Sequence, residues 1–278
     1  MNIKEIISQR KSIRTYKEEP ISQELIQKLT NYTHNVKAPF DTKMRFKIVG
    51  VNNSGSDMKL GTYGVIKGAK TFMCAVVEKG NRYEENVGYA LEKVILYATS
   101  LGLGTCWLGG TFKRAEFGKA LGLREDESIP AITPIGYAKA NRSLLDTIMV
   151  MGAGSKNRKD WMELFFDKDF NKPLKKEEAE KFEEVFDMVR IAPSASNKQP
   201  WRIVKNGNSF HFFLCRNKGY GKALSFDIQR LDIGIAMCHF ESMINKLGIL
   251  GKWNDKDPGL TNPENIEYII SYTIEDAK

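Results

Sequence analysis

The chain has 278 residues, 42% of them hydrophobic and 27% charged, with a net charge of +8. Such a composition can bury a core in one large or two smaller domains, and it excludes a disordered chain, a collagen and a small disulfide scaffold. No stretch approaches the ~18 continuous apolar residues of a membrane span, and the opening MNIKEIISQRKS lacks the apolar run of a signal peptide. We therefore expect a cytoplasmic protein with no membrane partner. Cys74, Cys106, Cys215 and Cys238 lie far apart, which fits free thiols better than disulfides or a structural metal site. The cations are spread along the chain rather than massed in a tract, so no nucleic-acid partner is expected, whereas a phosphate-bearing small molecule needs only a few of them.

Residues before Arg10 read as a helix. Ser22 to Val36 reads as a second helix after Pro20, followed by a strand at Phe46 to Val49. A long helix follows, with the stripe Val87, Leu91, Val94, Ala98 and Leu101 at steps suited to one helical face. Ile129 to Tyr137 is a β-rich run, and Lys139 to Lys159, containing Met151-Gly152-Ala153-Gly154-Ser155, reads as a connector. The same order then returns. Lys175 to Ile191 reads as a helix after Pro173, Trp201 to Val204 as a strand, and Ile266 to Tyr272 as a late strand.

Asn86 to Ala90 aligns with Asp232 to Ala236, and without a gap Leu101-Gly102 falls on Leu247-Gly248 and Trp107 on Trp253. The second long helix carries Ile233, Met237, Phe240, Ile244 and Leu247 at matching positions. Each copy ends at a Leu-Gly pair, a helix stop. Apolar residues off both stripes imply helices buried on more than one face. We expect two halves, 1–145 and 146–278, that pack on each other so that one chain imitates a homodimer.

Three segments could carry chemistry. Arg10-Lys11-Ser12-Ile13-Arg14 offers cations and a hydroxyl for a phosphate, although cations also suit a helix C-terminus. Pro193-Ser194-Ala195-Ser196-Asn197-Lys198-Gln199-Pro200-Trp201 offers uncharged donors and acceptors for a planar heterocycle, or else a plain turn. Gly104-Thr105-Cys106-Trp107-Leu108-Gly109-Gly110 lets backbone N–H groups approach a ligand, or makes a tight turn. With His34, His211 and His239 the only histidines, an HExxH site is absent and a serine triad has little to choose from.

These segments, with Asp232 to Glu241, resemble motifs of the nitroreductase superfamily of FMN-dependent oxidoreductases, and most closely its single-chain, internally duplicated branch. The resemblance implies an α+β fold: a nitroreductase-like three-layer α/β/α arrangement of mixed, mainly antiparallel sheets in two pseudo-symmetric halves. It also implies that Arg10, Lys11, Ser12 and Arg14 contact the phosphate, ribityl or pyrimidine edge of FMN. Pro193, Ser194, Ala195, Ser196 and Asn197 would approach the isoalloxazine, and Gln199 of the same loop is implied as a further cofactor contact. Leu108, Gly109 and Gly110 would lie near flavin N5, and Lys139 or Arg142 would complete the phosphate pocket. Each half retains only one of the two key segments. Asp160 to Phe166 stands where a second basic segment would be, and Val36 to Thr42 where a second PSxxNxQPW loop would be. One FMN per chain is the expectation, in a pseudo-dimeric monomer.

The implied reaction is hydride transfer from NADH or NADPH through flavin N5 to a small oxidant, such as a nitroaromatic or quinone, in ping-pong order, with no essential protein acid, base or nucleophile. A cation from Arg14 or Lys11 beside the N1–O2 edge would favour the reduced flavin, by roughly 4 kcal/mol at about 4 Å and an effective dielectric near 20. Two alternatives stay open. One is another flavin reaction on the same scaffold, such as flavin reduction or reductive dehalogenation. The other is a noncatalytic FMN- or anion-binding protein.

Overall fold

The structure is a computed structural model and describes residues 1–50, 60–139, 157–261 and 263–275. The chain divides into two compact units: Gln9–Ala153, and Gly154–Lys278 joined by Asn2–Ser8. Sequence places the N-terminal helix, α1 (Ile3–Gln9), in the first half, yet nearly all of it belongs to the second unit. Side-chain chemistry explains the difference. Lys4 donates to Glu184 at 2.7 Å, and Ser8 lies 3.8 Å from the Met188 sulfur. Local periodicity carries no information about such remote partners.

In the first unit, α2 (Gln23–Asn35) begins where the Ser22 hydroxyl accepts the Leu25 N–H at 3.3 Å, a side-chain cap that supports the sequence boundary. The sheet is built from β1 (Met44–Gly50), β2 (Thr71–Glu78), β3 (Gly104–Thr105), β4 (Glu127–Ser128) and β5 (Ile132–Gly136). Its order is β1-β2-β5-β3, with β4 also on β2, and every one of these pairings is antiparallel. Phe72, Cys74 and Val76 alternate along β2 and face a core with Cys106, Leu108, Phe112 and Phe117. The long helix α3 (Tyr83–Ser100) is buried both on its stripe and off it, at Tyr89 and Ile95. It stops before Gly102, whose φ of +78° is the left-handed turn that glycine accepts without a Cβ penalty. A short helix, α4 (Arg114–Leu121), follows the glycine-rich turn.

The second unit repeats this topology. β7 (Trp201–Asn206), β8 (Ser209–Cys215), β10 (Ile266–Ile274) and β9 (Gly251–Asn254) run in the order β7-β8-β10-β9, all antiparallel, matching β1-β2-β5-β3. The extra edge strand β6 (Phe165–Asp167) pairs with β7 in parallel and makes this sheet mixed. It follows the one-turn helix α5 (Trp161–Leu164), which is capped by the Asp160 carboxylate. Phe186, Phe210, Phe212 and Phe240 meet at tilted or edge-on angles, with ring centroids 4.9–6.5 Å apart, and form the aromatic centre of this core.

The sequence reads one helix over Lys175 to Ile191. The structure instead forms 3₁₀ turns within Glu177–Phe182, interrupted at Glu180, whose φ of 52° is not helical, before α6 (Glu183–Arg190). Ala179 and Phe182, on either side of this break, are both buried, so the kink lets the two turns each bury an apolar side chain. The second long helix, α7 (Ile228–Lys246), is capped by Asp227, whose carboxylate accepts from the Gln229 and Arg230 N–H groups. Among the described residues, no helix is long and apolar enough to cross a membrane.

Candidate functional site

Within the first unit, two of the three sequence-selected segments lie side by side. Ser12 bridges Thr105 in parallel, and the Ile13 N–H donates to the Thr105 carbonyl at 2.8 Å. Close approach depends on Gly104: a Cβ there would lie 2.9 Å from Cγ1 of Ile13. The segment continues as an added edge. The Lys67 N–H donates to the Arg14 carbonyl, Tyr16 donates to the Lys67 carbonyl, and the Lys139 N–H donates to Thr15 at 3.0 Å. Lys139 is thus held beside the basic segment, with its side chain exposed. Arg142 lies outside the described residues.

Arg10 turns inward. Its side chain is 8% exposed, and Nε lies 4.0 Å from Oε1 of Glu92 on α3, which is fully buried. That Nε has no hydrogen-bond partner among the described residues. Glu92 also accepts the Trp107 indole N–H at 2.6 Å, so one carboxylate ties the basic segment to the glycine-rich turn. Lys11 is exposed, while Ser12 and Arg14 are half-buried. In the turn itself, Leu108 exchanges two 3.0 Å backbone hydrogen bonds with Ile132. Arg114 donates to the carbonyls of Gly109, Ile129 and Pro130, fixing the peptide that leads to exposed Gly110. Burial lowers the Arg114 pKa from its ordinary value.

The PSASNKQPW loop belongs to the second unit and has an unusual backbone. Ser196, Asn197 and Gln199 have φ values of 47°, 53° and 45°, the left-handed region that few non-glycine residues adopt. Several side chains hold it there. The Asp232 carboxylate on α7 accepts the Ala195 N–H at 3.0 Å, and the Ser194 hydroxyl accepts the Gln199 N–H at 2.9 Å. Arg158 donates to the carbonyls of Ile191 and Ala192 and to Oδ1 of Asn197. Asn197 Nδ2 donates to the Asn157 carbonyl. Tyr220 donates its hydroxyl proton to Oγ of Ser196 at 2.8 Å.

Gln199 differs from its sequence assignment as a ligand contact. It is fully buried, accepts from the Lys159 N–H at 2.7 Å and donates to the Arg190 carbonyl at 2.9 Å, so its amide shapes the loop. Pro193, Ser194, Ala195 and Ser196 remain partly accessible. Sequence reasoning passed over two members of this cluster. Arg158 adjoins the Asp160–Phe166 segment, which stands where a second basic segment would be, and Asp232 enters the sequence reading only through the repeat and the Asp232–Glu241 motif. The alignment of Asp232 with Asn86 was the available signal, because Asn86 plays the matching part in the first unit. It accepts the Phe40 N–H at 3.0 Å and donates to the Phe40 carbonyl at 2.7 Å.

Burial of Asp232 raises its pKa well above the ordinary carboxylate value, against the opposing pull of the Ala195 N–H. Among the described residues, no group of three or more His, Cys, Asp or Glu side chains could hold a metal.

Residues 2–244 match the family model described as "Putative TM nitroreductase". A "putative nitroreductase" of Thermotoga maritima is 20% identical, with 99% of this chain and 93% of that chain covered at a TM-score of 0.61. An FMN-dependent nitroreductase of Clostridium difficile is 22% identical over 50% of this chain and 88% of its own, at a TM-score of 0.39. A Desulfovibrio desulfuricans "putative nitroreductase" in complex with FMN is 23% identical over 52% and 94%, at 0.41. No curated protein matches.

Proposed function

The chain belongs to the TM nitroreductase family, and from that premise we propose that it is an FMN-dependent oxidoreductase with one flavin site per chain. The reaction is hydride transfer from NADH or NADPH to a small oxidant, such as a nitroaromatic or quinone, in ping-pong order. When bound, FMN supplies an acceptor for hydride at N5 and returns the electron pair to the oxidant.

The observation that carries this reading is the state of Arg10. A largely buried guanidinium, facing Glu92 at 4.0 Å, keeps an Nε without a hydrogen-bond partner among the described residues, in a segment that also presents Lys11 and the Ser12 hydroxyl. A buried cationic donor of this kind suits an anionic oxygen, and the residues present therefore fit a phosphate. In our assignment, Arg10, Lys11, Ser12 and Arg14 hold the phosphate and polar edge, with Lys139 beside them. Gly109 and Gly110 present backbone N–H groups toward N5, with Arg114 holding the Gly109 carbonyl, while Leu108, whose N–H and carbonyl both bond Ile132, lies near N5 as the anchor of the turn. Ser194 to Asn197 form the ring-side cradle, fixed by Asp232 and Arg158.

The purified protein should be yellow and bind one FMN per chain, and NADH or NADPH should bleach it without oxygen. Two flavins per chain would overturn the single-site assignment. Bound flavin that neither nucleotide reduces would favour a noncatalytic FMN- or anion-binding protein instead.

A further inference from the structure

A second feature of the second unit lies beyond the flavin cradle. Lys218-Gly219-Tyr220-Gly221-Lys222 follows β8 and lines a cleft of about 480 Å³ together with Arg216, Asn217 and Glu267. The turn depends on its glycines. Gly219 and Gly221 have φ values of +80° and +81°, and a Cβ on Gly221 would lie 2.8 Å from the Ile228 side chain. Gln229, almost fully buried on α7, pins the turn by accepting the Asn217 N–H at 2.8 Å and donating to the carbonyls of Asn217 and Tyr220. Lys198 stands 5.8 Å from the centre of the Tyr220 ring.

Charge in the cleft separates into two sets. Arg216 bonds Asp227 and Glu267, and Arg230 bonds Glu267, so these four groups balance one another. Among the described residues Lys218 meets only Glu264, at 3.5 Å, with the two side chains 74% and 88% exposed, a pairing too solvated to hold the ammonium. Lys222 makes no hydrogen bond or ion pair among the described residues. Two ammonium groups on a glycine-fixed turn are thus left to bind anionic oxygen. The Tyr220 hydroxyl connects this turn to Ser196 of the ring-side cradle.

We propose that the cleft binds a phosphate of the nicotinamide dinucleotide reductant, gripped by Lys218 and Lys222, with the nicotinamide directed toward the Ser196 end. The placement of the nicotinamide rests on the flavin reading given above, whereas the phosphate grip does not. The phosphate could be the pyrophosphate shared by both dinucleotides or the 2′-phosphate of NADPH.

The test is the double variant Lys218→Gln/Lys222→Gln of the whole chain, in which only exposed side chains change. ADP-ribose and adenosine 2′,5′-bisphosphate are titrated by calorimetry, and the KM values for NADH and NADPH are measured alongside. If the pyrophosphate is held, the variant should bind ADP-ribose about tenfold or more weakly, a difference of ~1.4 kcal/mol, and both KM values should rise. If the 2′-phosphate is held, only the bisphosphate should weaken and only the KM for NADPH should rise. Affinities and KM values unchanged from the parent, or a parent that binds neither ligand, would overturn the proposal. Weakened ligand binding in a protein whose flavin neither dinucleotide reduces would uphold the cleft and overturn the redox reading.

Discussion

Glu92 and Trp107 meet through a 2.6 Å hydrogen bond from the indole N–H to a fully buried carboxylate, which also faces Arg10 at 4.0 Å. Replacing Glu92 with glutamine preserves an acceptor for the indole but removes the charge opposite a buried guanidinium. Losing one partner of a buried pair costs about 3–5 kcal/mol. We expect a fall of that order in urea unfolding. A bound phosphate can replace the lost negative charge, so saturating FMN should restore part of it. A loss that FMN leaves unchanged would detach Arg10 from the phosphate.

Gly104 and Ile13 test the docking of the basic segment. Gly104→Ala places a methyl 2.9 Å from Cγ1 of Ile13 and should displace the strand edge, weakening FMN binding about tenfold or more if the segment grips the phosphate. Adding Ile13→Ala should recover much of the affinity by removing the atoms struck. Flavin fluorescence titration of both variants checks this.

Arg158 holds three acceptors around the left-handed loop backbone. Arg158→Ala leaves the Asn197 carboxamide oxygen and two carbonyls without this donor, at a cost of about 1–3 kcal/mol. The loop should lose its fixed shape while the aromatic core of the second unit persists. FMN affinity should fall further than unfolding stability, and Arg158→Lys should recover only a fraction because a single ammonium cannot span the guanidinium's acceptors.

Asp232 should give stability a pH dependence of unusual sign. Its folded pKa lies above its unfolded one, so the native chain holds the proton more tightly. The associated stability is full below the unfolded value near 3.8 and is lost as pH rises toward the raised folded value. Asn86 accepts from its loop without any charge, so Asp232→Asn should keep the Ala195 bond and remove the penalty. Urea midpoints at pH 5 and pH 8 should show the variant gaining on the parent as pH rises. A constant difference would reject the assignment.

Glu127 shows the ordinary sign. Arg45 makes a two-pronged contact with it at 3.0 and 2.7 Å, and this hydrogen bonding lowers its pKa from 4.5 to about 2. The stabilisation is present above pH 4.5 and disappears as pH falls through about 2. Glu127→Gln should cost about 1–3 kcal/mol near neutrality and much less in acid, measured by unfolding across that range.

The sequence by itself marked the long helices and their Leu-Gly stops, the strands near 46–49, 132–136, 201–204 and 266–272, the repeated order of elements and the three candidate segments, but not the buried central strands β2 and β8. Each depends on neighbours a few residues apart, through apolar spacing, caps or glycine's tolerance of positive φ. The tertiary structure decided that α1 belongs with the second unit, that the chain breaks at Glu180 before α6, and that Gln199 serves the loop's interior. It also supplied the partners Glu92, Arg158 and Asp232. Those outcomes depend on charges and hydrogen-bonding groups that meet across tens of residues, where burial makes an unmatched group costly and pattern in the chain leaves no mark.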